Sequence, residues 1–340
     1  MAIGNTGRMK ITVLGAGSWG STVASISAWN RNDTTLWARN PDTVAEVNEQ
    51  HTNQAYLPGF TLPRRLLASA DLAESVASAD VVVVGVPSHS FRDVLTTASA
   101  SIRPWIPIVS LTKGFEKGSM LRMTEVIKEV LPGHPAAALT GPNLAKEVMS
   151  GLAAAGVIAT EDQAVAAALQ DVFHHDVFRL YTNHDVVGCE VGGALKNVIA
   201  IATGMAEGLS VGDNTRAAVM SRGLAELTRL GVAMGGVPST FAGLAGLGDL
   251  IATCSSPHSR NRYVGEQLGK GRKLDEILAE MHMVAEGVKT AEIVLYLAER
   301  HGVRMPICEQ IHRVVTGAAT AIDAYAGLMQ EKPGHEDAPD

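Results

Sequence analysis

Apolar residues fall in short unbroken runs through the first half of the chain and in helical stripes through the second. Lys10–Gly15 reads Lys-Ile-Thr-Val-Leu-Gly, an apolar run closed by glycine, which is the pattern of a parallel strand buried on both faces. Ser21–Ile26 predicts a helix directly after it. Thr34–Arg39, Val81–Val86, Ile106–Leu111 and Ala136–Thr140 predict further strands at the spacing of strand–helix–strand units. From about His184 onward the strand-like runs stop. Arg216–Met234 carries a stripe of Met220, Leu224, Leu227, Leu230/Gly231 and Met234, with Arg222, Glu226 and Arg229 off it, so it predicts an amphipathic helix. Glu286–His301 and Glu309–Tyr325 also read as helices. The pattern is α/β in front and all-helical behind.

Between the first strand and the first helix lies Gly15-Ala16-Gly17-Ser18-Trp19-Gly20. Gly15 permits a tight turn, Gly17 lets the backbone approach a pyrophosphate, and Gly20 lets helix and strand pack closely. The helix N-terminus behind them attracts the anion. Glycine spacing alone is weak in a glycine-rich chain; in this strand–helix setting it predicts a dinucleotide site. The second strand ends at Arg39, where an acidic residue would bond a ribose 2′-hydroxyl. A guanidinium there favours a 2′-phosphate, hence NADP(H) with NAD(H) still possible; stacking on adenine is the alternative. Lys113 follows the strand Ile106–Leu111, and open α/β sheets place ligands at strand carboxyl ends. His89 also sits in such a loop, where a histidine satisfied by backbone is the expected outcome.

In the helical half, Lys196 is the only charged residue between Val191 and Ala206. Burying a lone ammonium is costly unless it is paired or gives up its proton, so a lysine there is a candidate for proton transfer. The bland alternative is an exposed edge of a packed helix. Asp249 ends a glycine-dense stretch and is a natural partner for a buried lysine, or a plain helix cap. Ser259-Arg260-Asn261 forms a second polar cluster.

With 340 residues the chain predicts two domains, here 9–184 and 185–328, with an N-terminal extension over 1–8 and a disordered polar tail over 329–340. A hydrophobic share of 46% with 19% charged residues fits a soluble globular protein. A net charge of −7 argues against a nucleic-acid partner, so any bound phosphate must be met by local cations. Three scattered cysteines, Cys189, Cys254 and Cys308, give neither a zinc spacing nor a disulfide framework, which fits a reducing cytoplasm. No signal peptide or uninterrupted apolar run of membrane-spanning length is read.

Taken in order, Gly15–Gly20, Pro87-Ser88-His89, Thr112-Lys113-Gly114, Gly141-Pro142-Asn143-Leu144-Ala145-Lys146-Glu147, Gly192–Val198, Gly246–Leu250, Ser259–Arg262 and Val284–Gly287 resemble the bacterial NAD(P)-dependent glycerol-3-phosphate dehydrogenase family. The resemblance runs from about Met9 to about Ala324. It implies an N-terminal Rossmann-type doubly wound domain, an all-helical C-terminal domain, and reversible reduction of dihydroxyacetone phosphate to sn-glycerol 3-phosphate, which starts phospholipid synthesis. By position, Lys196 resembles the family's proton donor and acceptor, with Asp249 and Lys113 beside it. Gly141, Asn143, Ser259, Arg260 and Asn261 resemble its substrate contacts, together with those three. Ser18, Trp19, Arg39, Tyr56, Lys113, Ala145, Arg260, Val284 and Glu286 resemble its cofactor contacts. Asn143 departs from the Ser or Thr usual after Gly-Pro. Lys196-Asn197 is shared with β-hydroxyacid and 6-phosphogluconate type dehydrogenases, whereas Gly246–Leu250 and Ser259–Asn261 separate the families. A silent dinucleotide sensor would lack Lys113, Lys196, Asp249 and Arg260. No metal is expected; a homodimer is the common assembly.

Overall fold

The computed structural model describes residues 8–281 and 285–330. The chain divides into two compact units, Met1–Val186 and Val187–Asp340.

Unit 1 is built on one eight-stranded sheet: β1 (Lys10–Leu14), β2 (Asp33–Trp37), β3 (Leu67–Ser69), β4 (Val81–Val84), β5 (Ile108–Ser110), β6 (Ala136–Thr140), β7 (Ala154–Ala159) and β8 (Phe178–Asn183), in the order β3-β2-β1-β4-β5-β6-β7-β8. Strands β3 to β6 are parallel to their neighbours, β6 pairs antiparallel with β7, and β7 is parallel to β8. The apolar runs are continuous because both faces are covered. Ile11, Val13, Val81 and Val83 feed one hydrophobic cluster, while Leu14, Val82 and Val84 feed a second. Successive side chains of a strand point to opposite faces, so one run supplies two cores.

The order of the strands reverses at β1, which lies between β2 and β4. That reversal opens a crevice at the strand carboxyl ends, the usual ligand position in such sheets. The register sets Leu14 against Trp37 and against Val84, so the chain leaves β1 beside the end of β2. Helix α1 (Ser18–Trp29) then crosses back, buried from Gly20 to Ala28. Its composition is small: a Cβ on Gly20 would lie 2.0 Å from the Gly15 carbonyl oxygen. Its buried hydroxyls are satisfied locally, Thr22 donating to Ser18 O and Ser25 to Ser21 O.

Unit 2 is helical. Its central helix, Val186–Gly208, has the length and hydropathy of a membrane span, yet 94% of its most apolar stretch is buried in the protein, as in a core helix. The helix Arg260–Gly269 packs on it backbone to backbone. A Cβ on Gly204 would meet Arg262 O at 2.0 Å, and one on Gly265 would meet Ile201 O at 2.0 Å. This close approach brings Asn261 against the residue that follows Lys196.

Four expectations change. Glu309–Tyr325 is not one helix: Gly317, at φ +76°, separates Pro306–Val315 from Ala321–Gln330, because glycine alone takes that left-handed turn at no cost. Glu226 is not on the solvent side of Asp213–Ala233 but only 2% exposed. Its carboxylate accepts from the N–H groups of Ile307 (2.7 Å) and Cys308 (3.2 Å), donors that open the helix Pro306–Val315 and have no intrahelical partner. Met329 and Gln330, assigned to a disordered tail, are the last residues of a helix; the rest of that tail and residues 1–7 lie outside the described residues. The strands β3, β7 and β8 were not anticipated.

Candidate active site

In unit 1 the glycine loop turns out of β1 at Gly15 (φ +115°), whose N–H donates to Trp37 O at 3.0 Å. Gly17 caps α1 without a side-chain bond, and nothing lies within 4 Å of where its Cβ would stand. The first N–H groups of α1 have no intrahelical carbonyl to bond, and the space beside Gly17 leaves room for an anion to approach them. Ser18 Oγ donates to Tyr56 O at 2.7 Å. Trp19 packs edge-on against Phe178 at 5.5 Å, and its buried Nε1 has no partner among the described residues. Arg39, just past β2, is exposed and among the described residues makes no hydrogen bond or ion pair. A glycine cradle with room beside Gly17, an indole N–H without a partner among the described residues and an exposed guanidinium all fit a phosphorylated dinucleotide.

A second group in unit 1 sits at the carboxyl ends of β5 and β6, which are neighbours. Lys113 Nζ donates to Gly141 O (3.0 Å) and to Asn143 Oδ1 (2.8 Å). That bond fixes which way the Asn143 amide faces and leaves its buried Nδ2 without a partner among the described residues. A buried unpaired N–H costs about 1–3 kcal/mol, a cost that an acceptor from a ligand or a water would remove. Ala145 opens the short helix Ala145–Met149 immediately beyond.

In unit 2 the lysine is paired. Lys196 is 6% exposed and Asp249 2%. Lys196 Nζ donates to Asp249 Oδ1 at 2.7 Å and to Thr253 Oγ1 at 2.5 Å. The Thr253 hydroxyl in turn donates to Asp249 O at 2.7 Å, so its oxygen is turned to accept from the lysine. Asp249 is placed by a π-helical turn, Leu244–Gly248, running straight into the helix Asp249–Ser255; such turns re-aim a side chain that a regular helix would place elsewhere. Burial pushes the neighbouring Cys254 thiol up to about 11, so it is no thiolate at neutral pH.

Beside this pair, Asn261 Nδ2 donates to Asn197 Oδ1 and Asn261 Oδ1 accepts from Gly287 N, both at 2.9 Å. Ser259, 5% exposed, caps Arg260–Gly269 by accepting from Arg262 N. Arg260 opens that helix with its side chain accessible. Surrounding protein lowers its pKa by desolvation, opposed by the charge of Glu286. Val284 lies outside the described residues.

The structure thus brings together Gly15, Gly17, Ser18, Trp19, Gly20 and Tyr56; separately Lys113, Gly141 and Asn143; and, in unit 2, Lys196 with Asp249 and Asn261 with Asn197. Thr253 was missed. Its signal was present: it stands four residues after Asp249, so both face one side of a helix.

The model for the NAD-dependent glycerol-3-phosphate dehydrogenase N-terminus matches residues 10–166, and that for the C-terminus matches residues 185–326. The chain is 59% identical over 329 residues to glycerol-3-phosphate dehydrogenase (NAD(P)+) 2 of Sphingopyxis alaskensis, covering 97% of this chain and 98% of that one. It is 54% identical to the glycerol-3-phosphate dehydrogenase (NAD(P)+) of Mycobacterium avium, covering 96% of each. Among solved structures, glycerol-3-phosphate dehydrogenase from Coxiella burnetii superposes with a TM-score of 0.91 at 37% identity, covering 95% of this chain and 99% of that one. With both family models matched in order, the glycine cradle at the head of the first and the buried lysine pair in the second, the chain belongs to the NAD-dependent glycerol-3-phosphate dehydrogenase family.

Proposed function

We propose that the protein catalyses the reversible NAD(P)H-dependent reduction of dihydroxyacetone phosphate to sn-glycerol 3-phosphate, supplying glycerophospholipid synthesis, with Lys196 as general acid and base. Full-length relatives carrying that name support the activity. The observation that carries the role of Lys196 is its bonding. An ammonium has three N–H donors, and Asp249 and Thr253 take two of them. The third is left for the substrate oxygen.

The bound dinucleotide supplies the hydride. Reduction of the ketone carbon leaves negative charge on its oxygen, and Lys196 both stabilises that charge and delivers the proton. Asp249 holds the ammonium in place and offsets its burial. Lys113 and the unpaired Asn143 amide are the donors unit 1 offers to the substrate. Gly141 fixes Lys113 through its carbonyl. Arg260 meets the phosphate, with Ser259 and Asn261 holding the start of its helix; an acidic chain needs such a local cation.

Arg39 supports NADP(H) as the preferred cofactor, with NAD(H) usable. Glu286 and Ala145, each opening a helix, are assigned to the cofactor as well. Three free buried cysteines fit a cytoplasmic protein, and a homodimer is the assembly we assign on frequency. Paired kinetics with NADPH and NADH on dihydroxyacetone phosphate test the reading. Turnover of that ketone with preference for NADPH is expected; turnover of a β-hydroxyacid instead would overturn it.

A further inference from the structure

Asn53 is fully buried, at 0% exposure, although it is 33 residues beyond Gly20 and belongs to no strand or helix. Its Nδ2 donates to Ala16 O of the nucleotide loop at 2.8 Å and to Ser21 Oγ in the first turn of α1 at 2.9 Å. Its own carbonyl accepts from Leu57 N (2.7 Å) and Tyr56 N (3.2 Å), forming the turn that delivers Tyr56 O to the Ser18 hydroxyl. On either side of Asn53 the Glu46 carboxylate pins the chain, accepting from Thr52 Oγ1 (2.8 Å) and Gln54 N (2.7 Å).

The consequence follows from peptide geometry. In a planar trans peptide the C=O and the N–H point in opposite directions. Holding Ala16 O inward on a buried amide therefore turns the N–H of Gly17 the opposite way, away from Asn53, and the space around the Gly17 Cβ position leaves room for a ligand to approach this peptide. Glycine at 17, lacking a Cβ, leaves that plane freer to turn than another residue would.

We propose that Asn53 is a positioning residue for the dinucleotide pyrophosphate: it touches no ligand but fixes the Ala16–Gly17 peptide so that the Gly17 N–H faces the phosphate oxygens. This rests on the cofactor reading above. The test uses the full-length enzyme with two substitutions. Asn53→Asp sets a carboxylate against the Ala16 carbonyl and opposes the native plane. Asn53→Ser is too short to reach it and adds no charge, which keeps the question open to experiment if the first variant does not fold. Kd and KM for NADPH are expected to rise about 10- to 100-fold, the worth of a charge-assisted bond. The inhibition constant of adenosine 2′-monophosphate, which carries no pyrophosphate, and KM for dihydroxyacetone phosphate are expected to stay close to those of the unmodified enzyme. Equal weakening of NADPH and adenosine 2′-monophosphate, or a parallel rise in both KM values with a lowered Tm, would overturn the role and leave a purely structural one. Failure of the unmodified enzyme to bind NADPH would overturn the cofactor reading itself, a distinguishable result.

Discussion

The nucleotide loop of unit 1 and the lysine pair of unit 2 prepare for charge by opposite means. The loop offers backbone N–H groups at the start of α1, within a stretch of six consecutive residues, and Arg39 stands exposed just past β2. The lysine pair is made of side chains drawn from positions 53 and 57 residues apart, buried and hydrogen-bonded to one another. A backbone site survives many substitutions so long as its glycines and its supports are kept. A side-chain site concentrates its function in single atoms, and removing one leaves a buried partner exposed to the full cost of desolvation. Substitutions in the two regions should therefore fail differently.

The largest effect is expected at Lys196. Lys196→Met should lower kcat by about 10²–10⁴-fold, the usual size of general acid–base catalysis. It also strands Asp249, so stability should fall by about 3–5 kcal/mol, as when one partner of a buried pair is removed. Adding Asp249→Asn should return most of that stability without restoring turnover. Chemical denaturation and steady-state kinetics on the same samples separate the two losses. Lys196→Arg should also fail, because a guanidinium keeps its proton at neutral pH. Near-normal kcat in Lys196→Met would remove Lys196 from the chemistry and make Lys113 the leading acid.

A second buried charge in unit 2 sharpens the contrast without touching catalysis. Burial pushes the Glu226 carboxyl up to about 7, with the Ile307 and Cys308 N–H bonds opposing the shift. The folded state then holds this proton more tightly than the unfolded chain, so the group favours folding below its ordinary value near 4.5. That contribution is lost as pH rises toward 7, a change of about 3 kcal/mol across the window. Glu226→Gln should flatten this part of the stability–pH curve while leaving kcat at pH 7 close to that of the unmodified protein. A slope that persists in Glu226→Gln would mean that another group titrates there.

How far each region could be read beforehand follows the same division. The cradle Gly15–Gly20 was legible because a strand, three glycines and a helix start adjoin in sequence, and each glycine answers a local backbone demand. Lys196 was legible as an isolated charge, but its acceptor Thr253 was not, since that pairing exists only once two helices pack. Glu226 was misplaced because periodicity counts local spacing, whereas its partners lie 81 and 82 residues away. Asn143 drew notice as a departure from the family pattern, yet its tie to Lys113 comes from the adjacency of β5 and β6. Strand β7, Ala-Ala-Gly-Val-Ile-Ala, escaped because alanine and glycine are poor strand formers and its burial, not its propensity, holds it in the sheet.

Of the two cations assigned to ligand phosphates, Arg260 should matter more. It opens the ten-residue helix Arg260–Gly269, whose N-terminal N–H groups add to its attraction for an anion, and Arg260→Ala should raise KM for dihydroxyacetone phosphate about 10- to 100-fold. Unphosphorylated dihydroxyacetone should respond far less. Equal losses with both ketones would move Arg260 from the phosphate to the cofactor or the fold.

Arg39 should give the smallest effect, and the most selective. It stands exposed at the end of β2, where water and salt screen its charge. Arg39→Asp removes the cation and supplies a carboxylate able to accept from a ribose 2′-hydroxyl. KM for NADPH should rise about tenfold, while KM for NADH should hold or fall. The gap between the cofactors should also shrink in the unmodified enzyme as ionic strength is raised, since an exposed pair is screened within about 10 Å at 0.1 M salt. Equal weakening of both cofactors would show that Arg39 stacks on adenine instead. The glycine cradle would then bind either dinucleotide through its backbone alone, and preference would have to come from elsewhere in unit 1.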